Sequence, residues 1–299
     1  MVKISTLILS SNTYPSIRNS KIQKKIFAEN GIKNIHWYKQ GTTEQLQNKD
    51  ANRIGNNLFI NASDDSLGMG HKTIKAMEWL LINSDFEFLF RTNTSSYFSE
   101  DRLSKFISEN FDKPEKVYAG LIETTNDKDG NKILFASGSG FILSRDVVQA
   151  IVSNKSLWEH QYWDDVSLAI VMNKLNIPVS QGLRFDIKGN PLKQEINMNY
   201  YHYRCRIDNH YGYPRLLETY VLKYLYRMDS KQEYNKFSEV MLNLFFEISK
   251  KLYIHQFGWK LFLLTKKILL KILPKKIYSI LKNMFSKKIK KFKLVRFKI

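Results

Sequence analysis

Apolar positions in the first two-thirds of this chain fall into short runs separated by stretches with helical spacing. Ile4 to Ser10 is apolar and β-prone and predicts a first strand. Ser11-Asn12-Thr13-Tyr14-Pro15 reads as a loop. From Ser16, the spacing of Ile17, Ile22, Ile26 and Phe27 predicts a helix ending near Gly31. Asn34 to Tyr38, closed by Gly41, is a second strand. Strand, helix and strand at this spacing form a βαβ unit, which implies a parallel sheet. Residues 42–56 are polar and predict a loop. Asn57 to Asn61 predicts a third strand, and His71 to Asn83 a helix carrying Ile74, Met77, Leu80 and Leu81.

The remaining elements are arranged around Asp85 to Tyr97. The first half of that stretch, through Phe90, alternates apolar and aromatic side chains as a buried strand does, and it then breaks into small polar residues. Such a break places the polar cluster at the carboxyl end of a sheet. In open α/β sheets that is where ligands bind, so Asn93, Thr94 and Ser95 are expected to face a ligand. The alternative is an ordinary surface turn. Ser99-Glu100-Asp101 predicts a helix cap ahead of Phe106 to Phe111. Val117 to Ile122 and Ile133 to Ser144 read as strands around a hairpin-like turn at Asn126 to Gly130, with a helix from Arg145 to Ser153. Trp158 to Val166 opens a further helix running to Leu175. Asn199 to Pro214 then holds five tyrosines, two histidines and two arginines.

Composition narrows the class. The chain has 299 residues, 43% hydrophobic, enough for one large core. The single cysteine, Cys205, excludes an intramolecular disulfide framework. The N-terminal apolar run is too short for a signal peptide, and no uninterrupted transmembrane span is expected. Charge is uneven. The net value is +19, yet Lys250 to Ile299 holds sixteen Lys and Arg and no Asp or Glu, which leaves +3 for the body.

Four motifs appear in order. Asp64-Asp65-Ser66-Leu67-Gly68 leads to His71-Lys72-Thr73 and then Glu78-Trp79. Arg91-Thr92-Asn93-Thr94-Ser95 ends the central strand before Ser96-Tyr97. Ser137-Gly138-Ser139-Gly140-Phe141 precedes Leu143-Ser144-Arg145, and Asp164-Asp165-Val166 opens a helix. Together they resemble the GT-A glycosyltransferases of the Fringe and β-1,3-galactosyl- or N-acetylglucosaminyltransferase group, over about residues 1–210. The resemblance implies an α/β fold with a mixed, mostly parallel sheet flanked by helices. It also implies a UDP-sugar donor, a glycan or glycolipid acceptor and inversion at the anomeric carbon. Residues 1–215 would form the catalytic domain, 216–249 a helical extension packed on it, and 250–299 a basic amphipathic tail.

One departure concerns the metal. In the group resembled, three acidic residues after this strand hold a divalent cation. Here Asn93, Thr94 and Ser95 stand in those places. Mg²⁺ and Mn²⁺ favour charged oxygen ligands, so no metal is expected on these side chains. A cation held by other groups is the alternative, and no other cofactor is implied. Without a metal, cationic side chains would meet the diphosphate: His202, Arg204 and Arg206 first, Arg91 and Lys72 second. By position in its motif, Asp165 matches the catalytic aspartate of the group, with Asp164 orienting substrate or backbone. The helix-cap role is the alternative for one of the two. Ser10, Asn12, Tyr14 and Arg18, after the first strand, are candidates for base and ribose. Thr92 joins the donor side, and Ser137, Gly138, Ser139, Gly140 and Trp163 are candidates for the sugar or acceptor.

In the tail, Leu261 to Leu264, Ile268 to Leu270, Ile277, Ile280, Leu281, Met284 and Phe285 recur at helical spacing among lysines, with Pro274 as a break. That pattern predicts interfacial helices attracted to anionic lipid, placing the protein peripherally on the cytoplasmic face of a membrane. Lipopolysaccharide or capsule is then a natural acceptor class. Two other readings stand beside this one. A catalytically inactive scaffold of the same fold would explain the missing carboxylates. A nucleic-acid-binding α/β protein is disfavoured, because the basic charge sits among aliphatic residues and no nucleic-acid motif is present.

Overall fold

The computed structural model describes residues 2–66, 68–208, 211–232 and 236–254. The tail expected to form membrane-binding helices lies outside the described residues from 255 onward. In chain order the elements begin β1 (Ile4–Leu9), α1 (Ser16–Glu29), β2 (Ile35–Gln40), α2 (Thr43–Leu46), β3 (Ala51–Ile54), β4 (Asn57–Ile60) and α3 (Gly68–Asn83). They continue with β5 (Phe88–Asn93), β6 (Ser96–Phe98), α4 (Glu100–Asn110), β7 (Tyr118–Asn126), β8 (Lys132–Ser144) and α5 (Arg145–Ser153). The last are α6 (Asp164–Lys174), β9 (Ser180–Gln181), β10 (Arg184–Asp186), β11 (His202–Arg204), α7 (Glu218–Asp229) and α8 (Lys236–Ile254).

The main sheet has the order β3-β4-β2-β1-β5-β8-β7-β9. Strands β4, β2, β1 and β5 are parallel, and β8 runs antiparallel between β5 and β7. This is the mixed, mostly parallel sheet flanked by helices that the motifs predict. Its central strands are apolar on both faces, as strands covered on both sides must be. On β1, Ile4 and Ile8 enter the core shared with α1 and α4, while Leu7 enters the core shared with α3, α5 and α6. On β5, Phe88 and Phe90 take the first side and Leu89 the second. Val221, Leu222 and Leu225 of α7 and Phe246 of α8 are fully buried in that first core.

A second sheet, β10-β11-β6, packs beside the main one, with Tyr203 opposite Tyr97. Ser99 caps α4 as expected, its hydroxyl accepting from the Arg102 N–H.

Three segments differ from the sequence expectation. Residues 42–56, expected as loop, contain α2, opened by a capping box between Thr42 and Gln45, and the edge strand β3. β3 turns into β4 through Gly55, whose φ of +59° suits glycine. The strand was not apparent because its side chains are exposed or half-buried, so it carries no apolar alternation. Secondly, α3, expected from His71, begins at Gly68. Thirdly, the helix expected to open at Trp158 begins at Asp164, after a short 3₁₀ turn at Lys155–Leu157 and an irregular stretch.

These pairings place the site. Leu9 of β1 lies opposite Asn93 of β5, and Gly140 of β8 opposite Thr92. The carboxyl ends of two parallel strands therefore meet Ser137 to Ser139 of an antiparallel one.

Candidate active site

A cleft of about 410 Å³ opens at these strand ends, closed by the start of α6 and by the chain after β11. Asp164 and Asp165 are the first two residues of α6, where the helix dipole favours negative charge. Their environments differ. Asp164 is buried and ion-paired with the Arg91 guanidinium. Arg91 is itself buried, on the same face of β5 as Leu89. Its Nε donates to the Tyr38 hydroxyl at 2.9 Å and its Nη1 to the Gly138 carbonyl. Burial works against the Arg91 charge, but Asp164 and then Tyr38 outweigh it, so its pKa rises and the guanidinium stays charged.

Asp165 has no salt-bridge partner among the described residues. Its Oδ2 accepts the Gly138 N–H at 2.7 Å and its Oδ1 accepts the Val166 N–H at 3.0 Å. Burial, and next the like charge of Asp164, push its pKa above the ordinary carboxylate value, while the Gly138 N–H pulls the other way. A Cβ on Gly138 would lie 2.7 Å from that Oδ2, so the close approach requires glycine here. Trp163, 63% exposed, stands at the rim beside this pair.

The opposite wall is polar and bonded to itself. Ser10 and Thr94 hydroxyls both reach the Ser16 hydroxyl, at 3.2 and 3.1 Å. The Asn93 carboxamide oxygen accepts the Ser95 N–H at 2.9 Å, closing the turn into β6. Lys72, buried, donates to Asp64 at 2.7 Å. Burial of Asp64 is offset by bonds from Lys72, Asn12 and Gln40, which together hold its pKa below the usual value. A third wall carries Arg204, Arg206 and Arg215.

Of the residues expected from sequence, the cleft gathers Ser10, Lys72, Arg91, Asn93, Thr94, Ser95, Ser137, Gly138, Ser139, Trp163, Asp164, Asp165, Arg204 and Arg206. Six others stand back from it. Asn12 orients Asp64 through a 2.7 Å backbone bond. Tyr14 is half-exposed on its loop, and Arg18 donates to the Leu216 carbonyl and lies over the Tyr220 ring. Thr92 is buried and donates to the Ser139 carbonyl at 2.5 Å. His202 is buried too, sharing a 3.1 Å bond with Ser96; burial holds its imidazole well below its usual pKa, hence neutral. It is not a phosphate-binding cation. Gly140 is the space that ring occupies, since a Cβ there would meet it at 2.5 Å. Sequence reasoning missed Arg215, Glu123 and the buried Glu218 behind them. Nothing in their local pattern distinguishes them from surface charges.

The donor set does not fit a divalent cation at 93–95. The Asn93 oxygen is already used by its own turn, and the Ser95 hydroxyl donates to Glu218 at 2.7 Å. Of the acidic side chains nearby, Asp64 is paired with Lys72, Asp164 with Arg91 and Glu123 with Arg184, while Asp165 is bonded to the Gly138 and Val166 N–H groups.

Comparison with known proteins adds the following. No protein-family profile matches the chain. Over 130 residues it is 25% identical to the UDP-GalNAc:beta-1,3-N-acetylgalactosaminyltransferase 2 of Xenopus laevis, a stretch covering 40% of this chain and 27% of that protein. The chain thus matches about a quarter of the length of that relative. Two solved structures superpose in part. One is a glycosyltransferase involved in glycosylation of the major capsid of PBCV-1, with 10% identity, 74% of this chain, 99% of that one and a TM-score of 0.43. The other is the galactosyltransferase LgtC with donor and acceptor sugar analogues, with 9% identity, 78% of this chain, 98% of that one and a TM-score of 0.39. In sequence, then, the chain is similar to a sugar-transferring enzyme over a stretch of 130 residues.

Proposed function

We propose that this protein is an inverting glycosyltransferase that moves a sugar from a nucleotide-sugar, a UDP-sugar by resemblance, to a hydroxyl of a surface glycan. The observation that carries the reading is the division between two adjacent carboxylates. Asp164 is consumed by a buried arginine, while Asp165 faces the cleft with a raised pKa and no cation on it. A carboxylate with a pKa nearer neutrality is the better general base.

In the proposed step the acceptor oxygen attacks the anomeric carbon from the face opposite the leaving diphosphate. The new C–O bond forms as the bond to the phosphate oxygen breaks. The hydroxyl proton passes to Asp165, and the diphosphate departs with the bonding pair. One displacement suffices, so the configuration inverts. Trp163 offers an exposed aromatic face on which an acceptor ring can stack. The hydroxyls of Ser137 and Ser139 line the cleft beside Gly138 and would bond the transferred sugar, the second while accepting from Arg184 at 2.6 Å.

A glycolipid acceptor on an anionic membrane extends the proposal. On α8, Phe237, Val240 and Leu244 are exposed at helical spacing, shortly before the acid-free segment 250–299. No helix among the described residues is long and apolar enough to cross a membrane.

The test is nucleotide release from UDP-, GDP-, CMP- and dTDP-sugars, each with EDTA and with Mn²⁺, beside Asp165→Asn. Release lost in the variant by a factor of about 10²–10⁴ supports the reading. Calorimetric binding of a nucleotide without turnover of any donor, glycolipid acceptor present, would favour the scaffold reading, which the missing carboxylates motivate.

A further inference from the structure

We propose that Arg215 is a resident cation for the donor's diphosphate, held in place by Ser95 and Glu218. The proposal rests on the nucleotide-sugar reading above. Arg215 begins the short 3₁₀ turn Arg215–Leu217 that leads into α7. Its Nε donates to Glu218 Oε1 at 2.7 Å, and its Nη2 donates to the Ser95 hydroxyl at 3.0 Å and to Glu218 Oε2 at 3.3 Å. Glu218 is wholly buried and also accepts from Asn19 at 2.6 Å and from Ser95 at 2.7 Å. Donors from α1, from the β5–β6 turn and from Arg215 thus surround one carboxylate. The guanidinium is locked at one edge. Its side chain is still 35% exposed and lines the cleft.

The identity of residue 95 follows from this arrangement. The Ser95 hydroxyl touches the buried Glu218 carboxylate, so an aspartate there would set two carboxylates against each other out of water. A serine at 95 instead joins the Arg215–Glu218 pair through two hydrogen bonds. The Arg215 guanidinium lies within hydrogen-bond reach of the Ser95 hydroxyl, at the end of the central strand. Its Nε and Nη2 are engaged by Glu218 and Ser95, so Nη1 is the nitrogen left for a phosphate oxygen, and unlike an ion the guanidinium cannot be chelated away. Arg206 stands beside it: both arginines approach Asp208, at 2.9 and 3.8 Å, and both line the cleft with Arg204.

The probe is inorganic pyrophosphate, titrated calorimetrically into the full chain in EDTA. It carries neither base nor sugar, so it reports on the cation site alone. The expected result is binding without metal, weakened about tenfold or more in Arg215→Ala/Glu218→Gln. That double variant removes both members of the buried pair and leaves no orphaned charge. Arg215→Lys keeps the charge on Glu218, hence the fold, but loses the fork; its affinity should fall by about threefold to tenfold. Thermal melts confirm that each variant is folded. Binding that appears only with Mn²⁺, or that is equal in parent, double variant and Arg215→Lys, overturns the proposal. Metal-free pyrophosphate binding lost in the variants, with no donor turned over, sinks the transferase reading and leaves the cation site standing. Donor turnover that needs Mn²⁺ and ignores Arg215 does the reverse.

Discussion

Gly138→Ala separates the geometry of Asp165 from its chemistry. The added Cβ would meet three atoms of one residue, at 2.7, 3.1 and 3.2 Å: Oδ2, Cγ and Cβ of Asp165. Nothing else lies as near, so strain should be relieved by turning the Asp165 side chain away, which breaks its 2.7 Å bond from the Gly138 N–H. A hydrogen bond to a charged group is worth about 1.5–3 kcal/mol, which corresponds to about 10- to 100-fold in a step that depends on it. That bond also lowers the Asp165 pKa against burial and Asp164. Losing it raises the pKa further. The base must be ionised to work, so rate falls as pH drops through that pKa, and the acid limb should move to higher pH in the variant. The assay is kcat/KM for donor and acceptor across pH 5–9 or so, with thermal melts as control. An unchanged rate with an unmoved acid limb would refute the role given to Asp165.

Other outcomes follow from features already described. Arg91→Met strands Asp164 as a buried charge and should cost about 3–5 kcal/mol of unfolding free energy, read by chemical denaturation; Arg91→Met/Asp164→Leu should recover much of it. His36 is buried with an Nδ1 that has no partner among the described residues, and burial lowers its pKa to about 4. The unfolded chain takes that proton first, so stability contributed above about pH 6.5 is lost as pH falls towards 4, by up to about 3 kcal/mol. His36→Phe should flatten that slope, and a slope unchanged in the variant would show that other groups cause it. Replacing Phe237, Val240 and Leu244 together with serine should reduce flotation of the full chain with anionic vesicles, while leaving the melt unchanged; equal flotation would place membrane contact elsewhere.

The parallel core was legible because burial on both faces writes continuous apolar runs, as in β1 and β5. β3 was not, since an exposed edge strand writes none. The motif bearing Asp164 and Asp165 could be found locally, but their division of labour could not. It depends on Arg91, which lies 73 positions away in the chain. His202 and Arg204 share one face of a short strand. Only the packing of β8, with Gly140 under the imidazole, shows that the first is walled in and the second emerges. Arg215 and Glu218 become a unit only once Ser95, some 120 positions earlier, is folded against them.

The junction of Trp163, Asp164 and Asp165 constrains how such a chain can diverge. Successive helix residues are turned by about 100°, so one acid meets the sheet and the next meets the cleft. The approach to α6 is itself anchored, with Trp158 buried in the core and the Glu159 carbonyl accepting from the Ser167 hydroxyl at 2.6 Å. A single residue gained or lost at the start of α6 would turn both acids by that angle, breaking the Asp164–Arg91 pair and taking Asp165 out of the cleft. The angular setting of α6 thus decides which of two identical side chains is neutralised and which is left open.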